Sequence, residues 1–388
     1  MNNGTTNMQQ EGGDLRRPWG RPVCLGLIAG FATVMMAFTA GCTNGTMLTA
    51  KSTGPTTQVP PVLDKALWVA NGTNVLEYLP SQLAAGSTQM APHLVNNSTA
   101  FGAPQGVVFD ASGDLWVIDG GTVAAGGNVN PALYEFTPAQ LAALGTNNNP
   151  SPNITISSPD FVFPQQAVFD DKGDLWVSDN GANAVYVFTP AQLGATSLKA
   201  SPNVTITSNP AFTGPLGIAF DAAGDLFVAN NGTTTIFEFK QQSLPQSAGT
   251  VSLMPDVTLS DDGKGSIQAP WALIFDSNGD LWSSNANAPN TLVEFTPQSL
   301  MATGDPTPAV TLSPVMENMN ATLSSPNGIA FDNLGDLAAV SSASPFGIAF
   351  FGKSQLTAGG AIDPTLLIVG DATTLNAPAG CNFGPVVN

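Results

Sequence analysis

Arginine disappears from this chain after Arg16, Arg17 and Arg21. Basic residues number only 10 against 28 acidic ones, for a net charge of −18. A surface of that sign repels phosphate backbones and excludes a nucleic-acid partner. Charged residues of either sign are scarce, at 10%, so the polar surface must be built from Asn, Thr, Ser and Gln. Histidine occurs once, at His93. A Ser-His-Asp triad could be assembled only around that residue, and no nucleophile-elbow motif accompanies it. Of the three cysteines, Cys24 and Cys42 fall in the N-terminal segment. Only Cys381 is left beyond them, so no intramolecular disulfide can form there. Its place on an inward strand position reads as a buried, inert thiol. The chain has no Walker loop, HExxH or Cys-x-x-Cys motif, and nothing in it implies a cofactor.

The clearest local feature of the N-terminus is an apolar stretch. Val23 to Gly41 is uncharged and follows the three arginines. It ends in Thr39-Ala40-Gly41-Cys42, which resembles the lipobox of bacterial lipoproteins. That resemblance implies a signal segment over 1–41, lipidation of Cys42, and export with a lipid anchor in the bacterial membrane. Thr43 follows where that family's inner-membrane retention signal has Asp, which favours the outer membrane or cell surface. An uncleaved membrane anchor and a plain signal peptide are the alternatives. Residues 42–61, rich in Thr, Gly, Ser and Pro, read as a flexible stalk.

From residue 62 onward a single phrase dominates. "Apolar-Phe-Asp-x-x-Gly-Asp-Leu-Trp-Val", or a near variant, recurs with its Leu step at Leu67, Leu115, Leu175, Leu226, Leu281 and Leu337. A long, near-constant period marks a repeat architecture. Within one repeat, Gly217-Ile218-Ala219-Phe220 reads as a short strand. Asp221 to Gly224 reads as a hairpin turn, and Asp225 to Asn230 as an alternating strand. Thr235 to Phe239 and Val257 to Leu259 supply two more strands. Four short antiparallel strands are the unit of a propeller blade. The stripe Trp68, Trp116, Trp176, Phe227 and Trp282 reads as core between blades. Thr-Pro-x-x-Leu after the third strand predicts a one-turn helix. Leu67 has no first strand before it, but Pro378 to Phe383 at the C-terminus matches Pro326 to Phe331. The fold expected is therefore all-β: a six-bladed β-propeller of four-stranded antiparallel blades over 62–388, closed by a C-terminal strand in the first blade.

The unit resembles the NHL repeat and the related repeats of the gluconolactonase/regucalcin and virginiamycin B lyase families. In those families the site lies at one mouth of the central channel. The positions equivalent to their mouth residues are Gln105, Gln165, Leu216, Trp271, Asn327 and Ala379. Only Asn327 matches the gluconolactonase family's metal-ligand pattern. With no carboxylate in the ring, no metal site is expected there. The lyase family's catalytic histidine has no counterpart at the channel, since His93 falls on the rim. The residue ending the second strand (Asn71, Asp119, Asp179, Asn230, Asn285, Ser341) reads as a structural bond to the next turn. Gln105, Gln165, Trp271 and Asn327, together with Asp261 and Asp262 in a nearby loop, are the candidate ligand-binding residues. The expectation is a monomeric, tethered binding module for a protein or glycan partner, with no catalytic residue assigned. The alternative is a divergent lactonase- or lyase-like enzyme.

Overall fold

A computed structural model describes residues 64–387 apart from 87, 125–126, 196, 200 and 318–319. The expected signal segment, Cys42 and the stalk lie outside the described residues. No helix among those described is long and apolar enough to cross a membrane.

Six sheets stand around a central channel. The innermost strand of each, here strand a, begins with proline: Pro104–Phe109, Pro164–Phe169, Pro215–Phe220, Pro270–Phe275, Pro326–Phe331 and Pro378–Gly384. Proline lacks the N–H a central strand would need, so the first position of an inner-edge strand suits it. Strand b follows, fully buried, as in Leu226–Asn230, then strand c, as in Thr235–Phe239, and an outer strand d, as in Val257–Ser260. Each a–b turn is a hairpin of one design. Asp221 Oδ1 accepts from the amides of Ala223 and Asp225 at 2.9 Å each. Gly224 takes φ +81°, a conformation costly for any residue with a Cβ.

The blades meet through aromatic pairs. Each large strand-b side chain packs edge-on against the Phe ending strand a of the following blade: Trp68 on Phe109, Trp116 on Phe169, Trp176 on Phe220, Phe227 on Phe275 and Trp282 on Phe331. Six apolar clusters result, one per interface, and one of them joins Leu67, Val69 and Phe383 to Ala338, Val340 and Ile348. An open fan of six blades would have five interfaces; six means a closed circle. The closing sheet pairs Ala66–Asn71 with Pro378–Gly384, placing Leu67 opposite Phe383 and Trp68 opposite Asn382.

The expectation of four strands per blade holds in three blades. The other three carry a fifth strand, added in parallel at the rim: Ser197–Lys199, Gly249–Leu253 and Gly360–Ala361. All three come from the c–d loop of the following blade. The same loop makes smaller contacts at the remaining interfaces: Leu259 bridges Gly304, Asn97 N donates to Asn148 O, and Val369 N donates to Thr88 O. Every blade is thus stapled by its successor, and its outer edge is at least partly covered. The helical turns appear as expected, at Pro138–Ala142, Pro190–Leu193 and Pro297–Leu300, and also at Pro80–Ala84. The third-position glutamine ties each α-helical turn down. Gln140 Oε1 accepts the Thr137 amide at 2.9 Å while its Nε2 donates to Ser151 O at 2.8 Å.

Candidate functional site

The candidate mouth residues share one backbone feature. In all six blades the register of a against b shifts just after the leading proline. Such a bulge re-aims side chains. It falls at the second residue of strand a, the level of Gln105, Gln165, Leu216, Trp271, Asn327 and Ala379. The third residue must then pass close to the next blade. A Cβ on Gly328 would lie 2.7 Å from Cys381 N, and one on Gly106 would lie 2.7 Å from Gln165 O. Cross-blade bonds fix this level further. Ser284 Oγ donates to Asn327 O at 2.7 Å, Ser178 Oγ donates to Leu216 O, and Gln166 Nε2 donates to Gln105 O at 3.1 Å.

Three polar atoms at this level have no partner. Gln165 Oε1, Trp271 Nε1 and Asn327 Oδ1 are buried and accept or donate no hydrogen bond. Gln165 and Asn327 are 1% and 4% exposed. An unmet buried polar atom costs about 1–3 kcal/mol, so three on one ring need a cause. Gln105 is satisfied locally, its Nε2 donating to Ala103 O at 3.1 Å. Below the ring the channel opens into a cavity of about 240 Å³ with mostly apolar walls, among them Val108, Val168, Ile218, Ile274 and Ile329. Cys381 lines it, and burial pushes its thiol up to about 12.

The strand-b terminal residues do the structural job expected of them and a second one besides. They bond chiefly the loop that leads into strand a, and only in part the turn that follows. Two forms occur. Asp119 accepts from two successive amides, Gly102 and Ala103, at 2.9 and 3.0 Å, and from Gly121 at 2.7 Å. Asp179 does the same with Val162, Phe163 and Ala182, each at 2.9 Å. Where the residue is Asn or Ser, it accepts one loop amide only: Asn71 from Asn376, Asn230 from Thr213, Asn285 from Gln268, and Ser341 from Ser324. In those four blades the next residue, Ala377, Gly214, Ala269 or Ser325, has positive φ. A carboxylate can receive both amides; an Asn or Ser receives one, and the chain turns the second away through a left-handed residue.

Asp261 and Asp262 are spent on their own loop. Asp261 Oδ1 accepts from the Ile267 amide at 3.0 Å and Asp262 Oδ1 from Lys264 N at 2.8 Å. Against a desolvation penalty, the amides of Lys264 and Ser266 and the Thr307 hydroxyl hold the Asp262 carboxyl below its usual range. Among the described residues no hydrogen bond links either aspartate to the ring. His93 is exposed beside strand d of the first blade, its amide donating to Glu77 O at 2.7 Å.

Sequence reasoning missed one mouth residue. Val162 and Phe163 are 57% and 36% exposed, the second standing over Gly120 beside Gln105. The signal was available: before the leading proline the other blades carry Ala103, Gly214, Ala269, Ser325 and Ala377, and only this one carries a large apolar residue.

No protein-family model matches the chain, and no curated protein does. Solved structures match it in fold. A protein of unknown function from Bacteroides caccae superimposes with TM-score 0.54 at 9% identity, covering 83% of this chain and 99% of that one. A proposed 6-phosphogluconolactonase from Bacteroides uniformis gives 0.51 at 11% identity, covering 82% and 99%. Virginiamycin B lyase from Staphylococcus aureus gives 0.38 at 16% identity, covering 66% and 69%. At these identities the likeness is one of architecture: this chain is a six-bladed β-propeller.

Proposed function

We propose that the protein is an exported, membrane-tethered propeller that binds a polar ligand, a glycan or a protein segment, at the channel mouth. The reading rests on the unpartnered Gln165 Oε1, Trp271 Nε1 and Asn327 Oδ1. A ligand offering donors to the two oxygens and an acceptor to the indole would satisfy all three. Trp271, with exposed Phe163 and Val162, adds the apolar wall that such sites use for affinity. The tether is the lipid expected on Cys42. Asp261 and Asp262 have a smaller part in this reading, because their carboxylates are already engaged.

Glycan-array binding and pull-down compared between the natural protein and a Trp271→Ala/Asn327→Ala variant test it. Loss of binding with an unchanged unfolding curve supports the mouth. Equal binding by both proteins would move the site elsewhere. Mass spectrometry of the membrane-extracted protein, looking for a diacylglyceryl adduct on Cys42, tests the anchor.

A further inference from the structure

On the opposite face, where the a–b hairpins turn, three blades repeat a cluster of carboxylates. Each has the two hairpin aspartates and a glutamate from strand c: Asp110, Asp114 and Glu135; Asp221, Asp225 and Glu238; Asp276, Asp280 and Glu294. In the first, Asn153 Nδ2 donates to Glu135 Oε2 at 2.7 Å. In the second, the ammonium of Lys240 bonds Asp225 Oδ2 at 3.0 Å and also Glu238. The third has neither device. Ala309 takes the place of Asn153: its amide donates to Glu294 O as that of Asn153 does to Glu135 O, both at 2.8 Å. Thr296 takes the place of Lys240, each following the Phe that ends strand c. Carboxylate oxygens of Asp276, Asp280 and Glu294 nonetheless lie within 4.8 Å of one another, half-buried.

A second observation comes from the indole beside them. In two other blades the strand-b tryptophan donates to the hairpin aspartate: Trp116 Nε1 to Asp110 Oδ2 at 3.3 Å, and Trp176 Nε1 to Asp170 Oδ2 at 3.1 Å. Here Asp276 Oδ2 accepts from Asn278 instead, at 3.2 Å. Trp282 Nε1, 1% exposed and set across the ladder from Glu294, has no partner. Trp282, Asp276 and Glu294 all line one cavity of about 230 Å³ between the fifth and sixth blades. Lys353 lines the same cavity, but among the described residues it forms no ion pair with the three carboxylates, and the indole lacks an oxygen. A hydrated hard cation supplies both the charge and the oxygen.

We propose that Asp276, Asp280 and Glu294 hold a divalent cation of the calcium class, standing where Lys240 Nζ stands in the preceding blade. Carboxylate oxygens with water completing the shell are what such an ion takes. The site is independent of the channel mouth.

The test uses the purified chain with calcium, and with terbium as a luminescent substitute excited through tryptophan. Calcium should compete out the terbium signal and raise the unfolding temperature. Glu294→Gln and Asp280→Asn should each weaken binding at least tenfold, and Trp282→Phe should dim the luminescence without matching that loss of affinity. Thr296→Lys, copying Lys240, should abolish binding and make the unfolding temperature independent of calcium. No binding at millimolar calcium by the natural protein, or undiminished binding by Thr296→Lys, would overturn the proposal. So would equal affinity in Glu294→Gln, a variant that removes repulsion and should fold.

Discussion

Leu67 and Phe383 face each other across the ladder that completes the first blade, one from the first strand described and the other from the last. Beside them Trp68 Nε1 donates to Pro385 O at 3.3 Å. In the second and third blades the equivalent nitrogen finds an aspartate of the a–b hairpin. The first blade has no such hairpin, and the tail beyond strand a supplies a carbonyl in its stead. Phe383→Ala should cost about 3–5 kcal/mol, the range for a buried Phe, read as a lower urea midpoint. Loss under about 1 kcal/mol would mean that the ring does not depend on this contact.

Gly328→Ala probes the tight level of the channel. Its Cβ would sit 2.7 Å from both Cys381 N and Gly380 Cα. These are backbone atoms of another blade, which cannot swing aside as a side chain can. Destabilisation of about 1–3 kcal/mol is expected from overpacking, with a fall in unfolding temperature as the readout. An unchanged temperature would show that the inner strands can separate freely.

Glu77 should make stability depend on pH. Its side chain is fully buried, Oε2 has no partner, and Oε1 has only the Val387 amide at 3.4 Å. Burial raises its carboxyl from 4.5 to about 7. The folded state then holds a proton that the unfolded state has released, so this group's contribution to stability falls as pH rises from about 4.5 to 7. The penalty is fully present above that window, on the order of 3 kcal/mol at 1.36 kcal/mol per unit. Glu77→Gln should stabilise the protein at pH 8 and leave it little changed at pH 4. Equal gains at both values would refute the assignment.

Asp119→Asn tests the two-amide bond under the mouth. The amide group of Asn would turn an N–H toward one of the loop amides it must accept. A cost of about 1–3 kcal/mol is expected for the lost bond, measured by denaturant unfolding. The reverse change, Asn285→Asp, should also destabilise, because Asn285 Nδ2 donates to Ser266 O at 3.2 Å and Thr291 Oγ1 at 3.0 Å.

Blade count, ring closure and the hairpin turns were legible because each is written locally and then repeated. The pairing of Leu67 with Phe383 could be inferred because Pro378 to Phe383 repeats the pattern of Pro326 to Phe331. The fifth strands were not legible. Ser197–Lys199 pairs with a neighbouring blade, and nothing in its own residues says which edge it will meet. The double role of the strand-b Asx position was half visible: its recurrence announced a structural bond, but the split between Asp and Asn or Ser depends on the φ of a residue elsewhere. The unpartnered atoms of Gln165, Trp271 and Asn327 had no sequence signature at all, since an orphaned hydrogen-bonding group is defined by what surrounds it.

The staples run one way, each blade gripped by the c–d loop of the one made after it. A nascent chain emerging N-terminus first therefore carries an unfinished rim at every stage, and its first sector waits for the last dozen residues. A polypeptide cut short before Pro378 would keep two raw edges. Neither of two such fragments holds the strand the other lacks, so premature proteolysis should yield species that associate edge to edge into aggregates in place of a smaller soluble monomer.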